Sequence, residues 1–304
     1  MADVIHGTAD SPTGTAGDST GASGPRLPID GLETRARTAR AAVVRSVARA
    51  QAGHLGAPLS AMDILTVLYG GVLRVRPDDP TWAARDRFVL SKGHAAIGLY
   101  AVLAVAGFLP LDELETFDQL GSRLQGHPDM TRLPGIDMST GSLGTGLSAA
   151  VGMAIGARRL GLDAAIFSLL GDGECQEGQI WEAAMAAARF GLDNLVAIVD
   201  VNGLQQFGWV DDTGRRLAPW APGALGRIWA GFGWTVLDVD GHDLAALVDV
   251  LTEARDHPTG GRPTVVLART TKGRGVSFME DRYDWHARVP TPDEAGRALA
   301  ELGG

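Results

Sequence analysis

One cysteine, three tyrosines and no apolar run near the roughly 18 residues a membrane-spanning helix needs are the scarcities of this 304-residue chain. The lone cysteine, Cys175, excludes an internal disulfide and fits a reducing compartment. No membrane association is expected. The N-terminus has no basic region followed by an apolar stretch, so no secretory signal is expected either. The expected address is the cytoplasm. Basic stripes are missing as well. The net charge is −9, and Asp3, Asp10, Asp18 and Arg26 place −2 of it in the first 27 residues, leaving −7 on the body. That balance argues against nucleic acid as a partner. With 45% hydrophobic residues the chain can build a sizeable core, enough for one large α/β domain.

Residues 1–28 are rich in Gly, Thr, Ser and Asp and poor in apolar side chains, so a disordered tail is expected there. Residues 29–304 show no linker and no repeat, and read as one domain. Helical patterns cover 32–52, the stretch after Pro58, the run from Gly93 and the small-residue segment after Gly141. From 164 onward apolar runs alternate with amphipathic ones. AAIFSLL, LVAIVD, WTVLDVD and PTVVLAR read as strands, separated by helices at 177–191 and 243–256. Between LVAIVD and WTVLDVD, a stretch with Trp209, Trp220 and Trp229 reads as mixed loop and helix, its tryptophans as core or interface. This alternation predicts a doubly wound, mostly parallel sheet with helices on both faces. Ligands of such sheets gather at the carboxyl ends of the strands.

Two polar residues stand at such ends. Asp172 lies in Gly171-Asp172-Gly173 after one strand, and Asn202 follows the next, 30 residues on. Glycines let a backbone approach a ligand, and the helix N-terminus after the turn is expected to present free N–H groups to an anion. An Asp oxygen, an Asn oxygen and a backbone carbonyl suit a hard cation such as Mg²⁺ or Ca²⁺. A cation held by oxygens beside a phosphate-receptive turn is a diphosphate site.

GDGECQEGQIWEAAMAAARFGLDNLVAIVDVNGLQ resembles the cofactor-binding stretch of transketolases. GHLGAPLS (53–60), DRFVLSKGHAAIGLY (86–100), GHP (126–128), TGSLGTGLSAAVGMA (140–154) and ARTTKGRGVSFMEDRYDWHARVP (268–290) resemble further segments of the same family, in the same order. The resemblance runs over about residues 32–290. It implies the thiamine diphosphate-binding fold, thiamine diphosphate itself, and ketol transfer from a ketose or ketose phosphate to an aldose. It also implies roles by position. Asp172, Asn202 and the carbonyl of Leu204 would hold the metal. Gly173 and Lys272 would contact the diphosphate, with Lys92 assisting. Gly141, Ser142 and Leu143 would line the aminopyrimidine and thiazolium parts. His54, His94, His127 and His286 would surround the reactive carbon and the sugar hydroxyls, where proton shuttling near neutral pH is needed. Glu177 and Glu182 would sit near a subunit interface. His242 admits two readings, a family position or a helix N-terminal residue; His6 and His257 are incidental, and Cys175 is a bystander, although a cysteine beside the metal turn could be sensitive to oxidation.

The sequence departs from the family at Leu55 (usually proline), Ala57 (serine in some members) and Ala287 (usually glycine), none of them a metal ligand. In the family a glutamate activating the cofactor belongs to a second, pyrimidine-binding domain, as do most phosphate-binding residues. A separate subunit carrying that domain and the C-terminal one is therefore expected, assembled as two copies of each chain. Three rivals remain: the α subunit of a 2-oxoacid dehydrogenase, disfavoured by the SKGHA-like and Trp-His segments; a deoxyxylulose-phosphate synthase, disfavoured because its motifs differ and its second domain sits in the same chain; and a non-catalytic binding relic, disfavoured by the intact metal pair and four histidines.

Overall fold

The structure, a computed structural model, describes residues 26–206, 212, 220, 221, 223–257 and 260–303. The expected tail up to residue 25 and Trp209 lie outside them. Arg26 and Leu27, placed in the tail by composition, are tied down: Arg26 Nη2 donates to Thr252 Oγ1 at 2.7 Å and Leu27 N–H to the Gly70 carbonyl at 3.0 Å.

Thirteen α-helices and strands follow in chain order among the described residues: α1 (Ile29–Ala50), α2 (Gly56–Val67), β1 (Arg87–Leu90), α3 (Ala96–Val105), α4 (Thr145–Arg159), β2 (Ile166–Gly171), α5 (Gly178–Arg189), β3 (Leu195–Val201), α6 (Ala224–Gly231), β4 (Thr235–Asp240), α7 (Leu244–Asp256), β5 (Thr264–Arg269) and α8 (Pro292–Glu301). Local chemistry sets several ends. Asp243 caps α7 by accepting the Ala246 N–H, and Thr291 with Glu294 forms a capping box ahead of Pro292 in α8. The helix expected to run on from Pro58 through Leu73 stops at Val67 and becomes a wide π-type turn at Leu68–Val72, because Gly71 sits at φ 134°.

All five strands pair in parallel, in the order β1-β2-β3-β5-β4. Their side chains alternate between two cores. Phe167, Leu169, Val196, Ile198 and Val266 face a core shared with α1, α2, α3, α7 and α8. Ile166, Leu170, Leu195, Val199 and Val265 face the other, with α4, α5 and α6. Both faces are covered, as the near-continuous apolar runs of β2, β3 and β5 require. Each fully buried Leu or Ile contributes roughly 1.5–3 kcal/mol. Trp229, Trp234 and Trp285 are all buried, in keeping with a core role. The arrangement brings the carboxyl ends of β1, β2, β3 and β5 side by side.

Candidate active site

Four loops leave those ends: Ser91 to His94 after β1, Asp172 to Glu174 after β2, Asn202 to Gln205 after β3, and Thr270 to Lys272 after β5. With the start of α2, the segment before α4 and the short turn Tyr283–His286 they enclose a cleft of about 510 Å³. His54, Ala57, Lys92, His94, Gly141, Leu143, Asp172, Gly173, Asn202, Leu204, Lys272 and His286 all line it. Of the residues expected at the site from sequence, only His127 and Ser142 stand outside the lining. Both are exposed at the rim, with the His127 ring 6.3 Å from that of His54.

Asp172 is 2% exposed. Its Oδ1 accepts the Gly173 N–H and its Oδ2 the Gly203 N–H, each at 2.8 Å, while Trp220 Nε1 donates to its carbonyl at 2.9 Å. Burial and the charge of Asp200 push its carboxyl up to about 6. Neither oxygen is hydrogen-bonded to a cationic side chain among the described residues, a condition a divalent cation would relieve. Asn202 has one orientation consistent with its neighbours: Nδ2 donates to Asp200 Oδ2 at 3.3 Å and Ser60 Oγ at 3.4 Å, and Oδ1 accepts the Leu204 N–H at 3.0 Å. The donor set is one carboxylate, one amide and one backbone carbonyl, so no cluster of three His, Cys, Asp or Glu occurs among the described residues. Such oxygen donors fit a hard cation that keeps further ligands from water or phosphate.

The helix expected at 177–191 begins as α5 at Gly178 with Glu177 at its N-cap, so its free N–H groups do not directly follow Gly173. A 3₁₀ turn at Glu174–Gln176 intervenes, because the buried Glu174 side chain folds back. Its Oε1 accepts from Ser91 Oγ and from the Gly144 N–H at 2.9 Å, and its Oε2 accepts the Gly171 N–H at 3.0 Å. Burial raises the Glu174 carboxyl, and these three bonds only partly offset it. Glu174 therefore ties three loops of the cleft together. Gly144 at φ 86° makes this possible, since a Cβ there would also lie 2.7 Å from Glu177 Cβ.

Asp200, fully buried at the end of β3, is a second tie, one that the sequence motifs do not single out. Lys92, Ser60 and Thr270 all donate to its carboxylate, as does Asn202. A "DxN" spacing ending an apolar strand is the signal that marks it. Lys92 and Lys272 are the chain's only lysines, and both are buried in this cleft. Lys272 Nζ donates to His286 Nδ1 at 2.9 Å and to the carbonyls of Leu204 and Gln205 at 3.3 and 3.4 Å.

The rings of His54, His94 and His286 form a triangle with centroids 5.2–5.3 Å apart. Burial first, then the Lys272 charge and the neighbouring His54 and Lys92, push His286 down to about 3. Burial, Lys92 and the other two rings hold His94 well below its ordinary value, and burial, His127 and Lys272 lower His54. All three are neutral at pH 7. An ammonium only donates, so His286 Nδ1 is an acceptor and its proton sits on Nε2. Cys175 is fully buried, and burial with the nearby Glu174 and Asp172 charges raises its thiol well above the usual range. It is shielded from oxidation. Glu177 lines the cleft, and Glu182 is exposed on α5.

An all-parallel sheet with oxygen donors and glycine turns at its strand ends defines an α/β ligand-binding domain of the doubly wound class. Residues 33–303 match the family described as "Transketolase, thiamine diphosphate binding domain", and the chain belongs to that family. It is 43% identical to an apulose-4-phosphate transketolase subunit of Actinobacillus succinogenes, over 91% of this chain and 97% of that one. It is 40% identical to a 6-deoxy-6-sulfo-D-fructose transketolase subunit of a Clostridium species, over 89% of this chain and 96% of the other. The crystal structure of Campylobacter jejuni transketolase superposes with a TM-score of 0.82 at 33% identity, covering 91% of this chain but 43% of that one. The match thus spans the subunits almost entirely and single-chain transketolase by less than half. Among the described residues no helix is long and apolar enough to cross a membrane.

Proposed function

We propose that this chain is the diphosphate-binding subunit of a two-chain transketolase, moving a two-carbon ketol unit from a ketose or ketose phosphate to an aldose. The carrying observation is the convergence of Asp172, Asn202 and the Leu204 carbonyl with His54, His94 and His286 in one cleft. Relatives that match over nearly their whole length include named transketolase subunits, which supports a partner chain supplying the pyrimidine-binding domain. Two copies of each chain, acting in the cytoplasm with Mg²⁺ or Ca²⁺, complete the reading. The 2-oxoacid dehydrogenase and relic readings are not favoured, because a relic has no physical need for a buried Asp172 and a neutral histidine cluster.

When bound, thiamine diphosphate supplies the nucleophilic carbon that cleaves the bond beside a ketose carbonyl. Asp172, Asn202 and Leu204 hold the cation that anchors its diphosphate, and Gly173 lets the backbone come close. Lys272 adds positive charge next to the Leu204 carbonyl. The imidazoles rest uncharged in the cleft, and one that accepts a proton becomes an imidazolium until it returns it. His286, with its proton on Nε2, is the donor to a substrate hydroxyl or carbonyl oxygen. His54 and His94 beside it take or return the proton as the carbon–carbon bond breaks or forms. His127, at the rim, meets the more distant hydroxyls.

The test is to tag this chain, recover it from its native lysate with thiamine diphosphate and Mg²⁺, and identify co-purifying chains by mass. A second chain bearing the pyrimidine-binding domain in equal amount, with two-carbon transfer between sugars, is the expected result. A chain that comes down alone and has no measurable cofactor affinity overturns the proposal.

A further inference from the structure

His242 lies outside the cleft and outside the functional reading, yet its surroundings are built. It follows β4, ahead of the α7 cap Asp243, so it does not cap the helix itself. Its side chain is 10% exposed. Nε2 accepts the Thr271 backbone N–H at 2.8 Å, and Nδ1 lies 2.7 Å from Asp63 Oδ2. Because a backbone amide only donates, Nε2 is unprotonated, and the ring proton sits on Nδ1 and is given to Asp63. Asp63 is itself gripped by both terminal nitrogens of Arg40, at 2.9 and 2.6 Å. Burial pushes the Asp63 carboxyl up, but His242 and Arg40 outweigh it and leave it below the usual carboxylate range. The relay therefore runs from α1 through α2 to His242 and on to the loop after β5.

What lies beyond Thr271 gives the relay its meaning. The next residue is Lys272, and Gly273 donates to the Gly56 carbonyl at 3.1 Å. Gly56 admits no side chain, for a Cβ there would stand 2.8 Å from Lys272 Cε. Lys272 is thus held from below by the start of α2 and from behind by Thr271.

We propose that His242 is a positioning residue: braced by Asp63 and Arg40, it fixes the Thr271 amide and so sets Lys272 against His286 and the Leu204 carbonyl. The consequence for the cofactor rests on the functional reading above; the consequence for the loop does not. A side-chain exchange separates positioning from mere housing of the Asp63 charge. In His242→Gln the amide oxygen replaces Nε2 and keeps the acceptor for Thr271. In His242→Asn the amide nitrogen replaces Nδ1 and keeps the donor to Asp63 but abandons Thr271.

The experiment measures amide hydrogen exchange at Thr271 in the full chain, and thiamine diphosphate affinity with Mg²⁺ in the complex with its partner subunit. His242→Asn and His242→Ala are expected to speed Thr271 exchange about tenfold, the scale of one lost hydrogen bond, and to weaken cofactor binding. His242→Gln is expected to restore both. Rescue by Asn and not by Gln, or no change at Thr271 in any variant, overturns the inference. If exchange follows the expected order in a complex that binds no thiamine diphosphate, the positioning stands and the functional reading falls.

Discussion

Lys92, at the end of β1, forms a buried ion pair with Asp200, at the end of β3, reaching across the end of β2 that lies between them. The pair brings the loop that carries His94 up to the strand end that Asn202 follows. Its side chains are 1% and 0% exposed. Charges this deep are costly singly and tolerable together. Burial alone would raise the Asp200 carboxyl, but Lys92, Ser60 and Thr270 hold it below the usual range.

Breaking that pair is expected to be expensive. Asp200→Asn and Lys92→Met each leave one buried charge uncompensated and should lower stability by about 3–5 kcal/mol. The double variant should lose less than the sum, since no lone charge remains. Urea denaturation of all four proteins gives the coupling; additive losses contradict the pairing.

Glu174→Gln tests the tie between loops. The amide matches the size of the carboxylate but turns one acceptor into a donor, facing the Gly144 or Gly171 N–H. A cost of about 1–3 kcal/mol follows from one unsatisfied buried group. Urea unfolding at neutral pH checks it. An unchanged midpoint means that Glu174 is protonated and already behaves as its amide does.

Asp172→Asn should separate stability from function. Neutralising the buried carboxylate relieves its repulsion with Asp200 in the metal-free chain. The amide, however, turns a donor toward the Gly173 or Gly203 N–H, so the unfolding midpoint should move little. Cofactor affinity with Mg²⁺ should fall by at least the roughly 100-fold that losing an outer partner costs a metal site. Calorimetric titration beside thermal unfolding reads both, and an unchanged cofactor affinity contradicts this assignment.

The histidine triangle carries a pH signature. A histidine whose folded value lies below its unfolded value binds fewer protons when folded, so stability is full above the unfolded pKa of about 6.5 and is lost as pH falls. For His286 the loss runs down to about 3. NMR titration should show the His54, His94 and His286 rings neutral at pH 7. Lys272→Met should raise the His286 value yet leave it below the ordinary one, because burial is the larger cause. A His286 ring that titrates near 6.5 in the native chain refutes the neutral cluster.

Much of this is legible in the sequence. Apolar runs of six or seven residues, broken by amphipathic helical stretches, read directly as a parallel sheet covered on both faces, because side-chain period and length are local properties. The strand ends at Asp172 and Asn202 follow from the same runs, and the ordered motifs name the family. The turn at Glu174–Gln176 is not legible, because the spacing does not reveal that Glu174 folds back onto Gly144 and Gly171.

The sequence by itself therefore determined the fold class, the strand ends and nearly all of the cleft lining. Only the tertiary structure decided which groups hold that lining in place. Ser91 with Glu174, Lys92 with Asp200, and Asp63 with His242 are separated by 83, 108 and 179 residues. Their partnerships arise from the strand order, in which β5 inserts between β3 and β4 and so sets Thr271 beside His242. Strand order minimises the exposed area of two cores at once, a property of the whole packed sheet that no local spacing encodes.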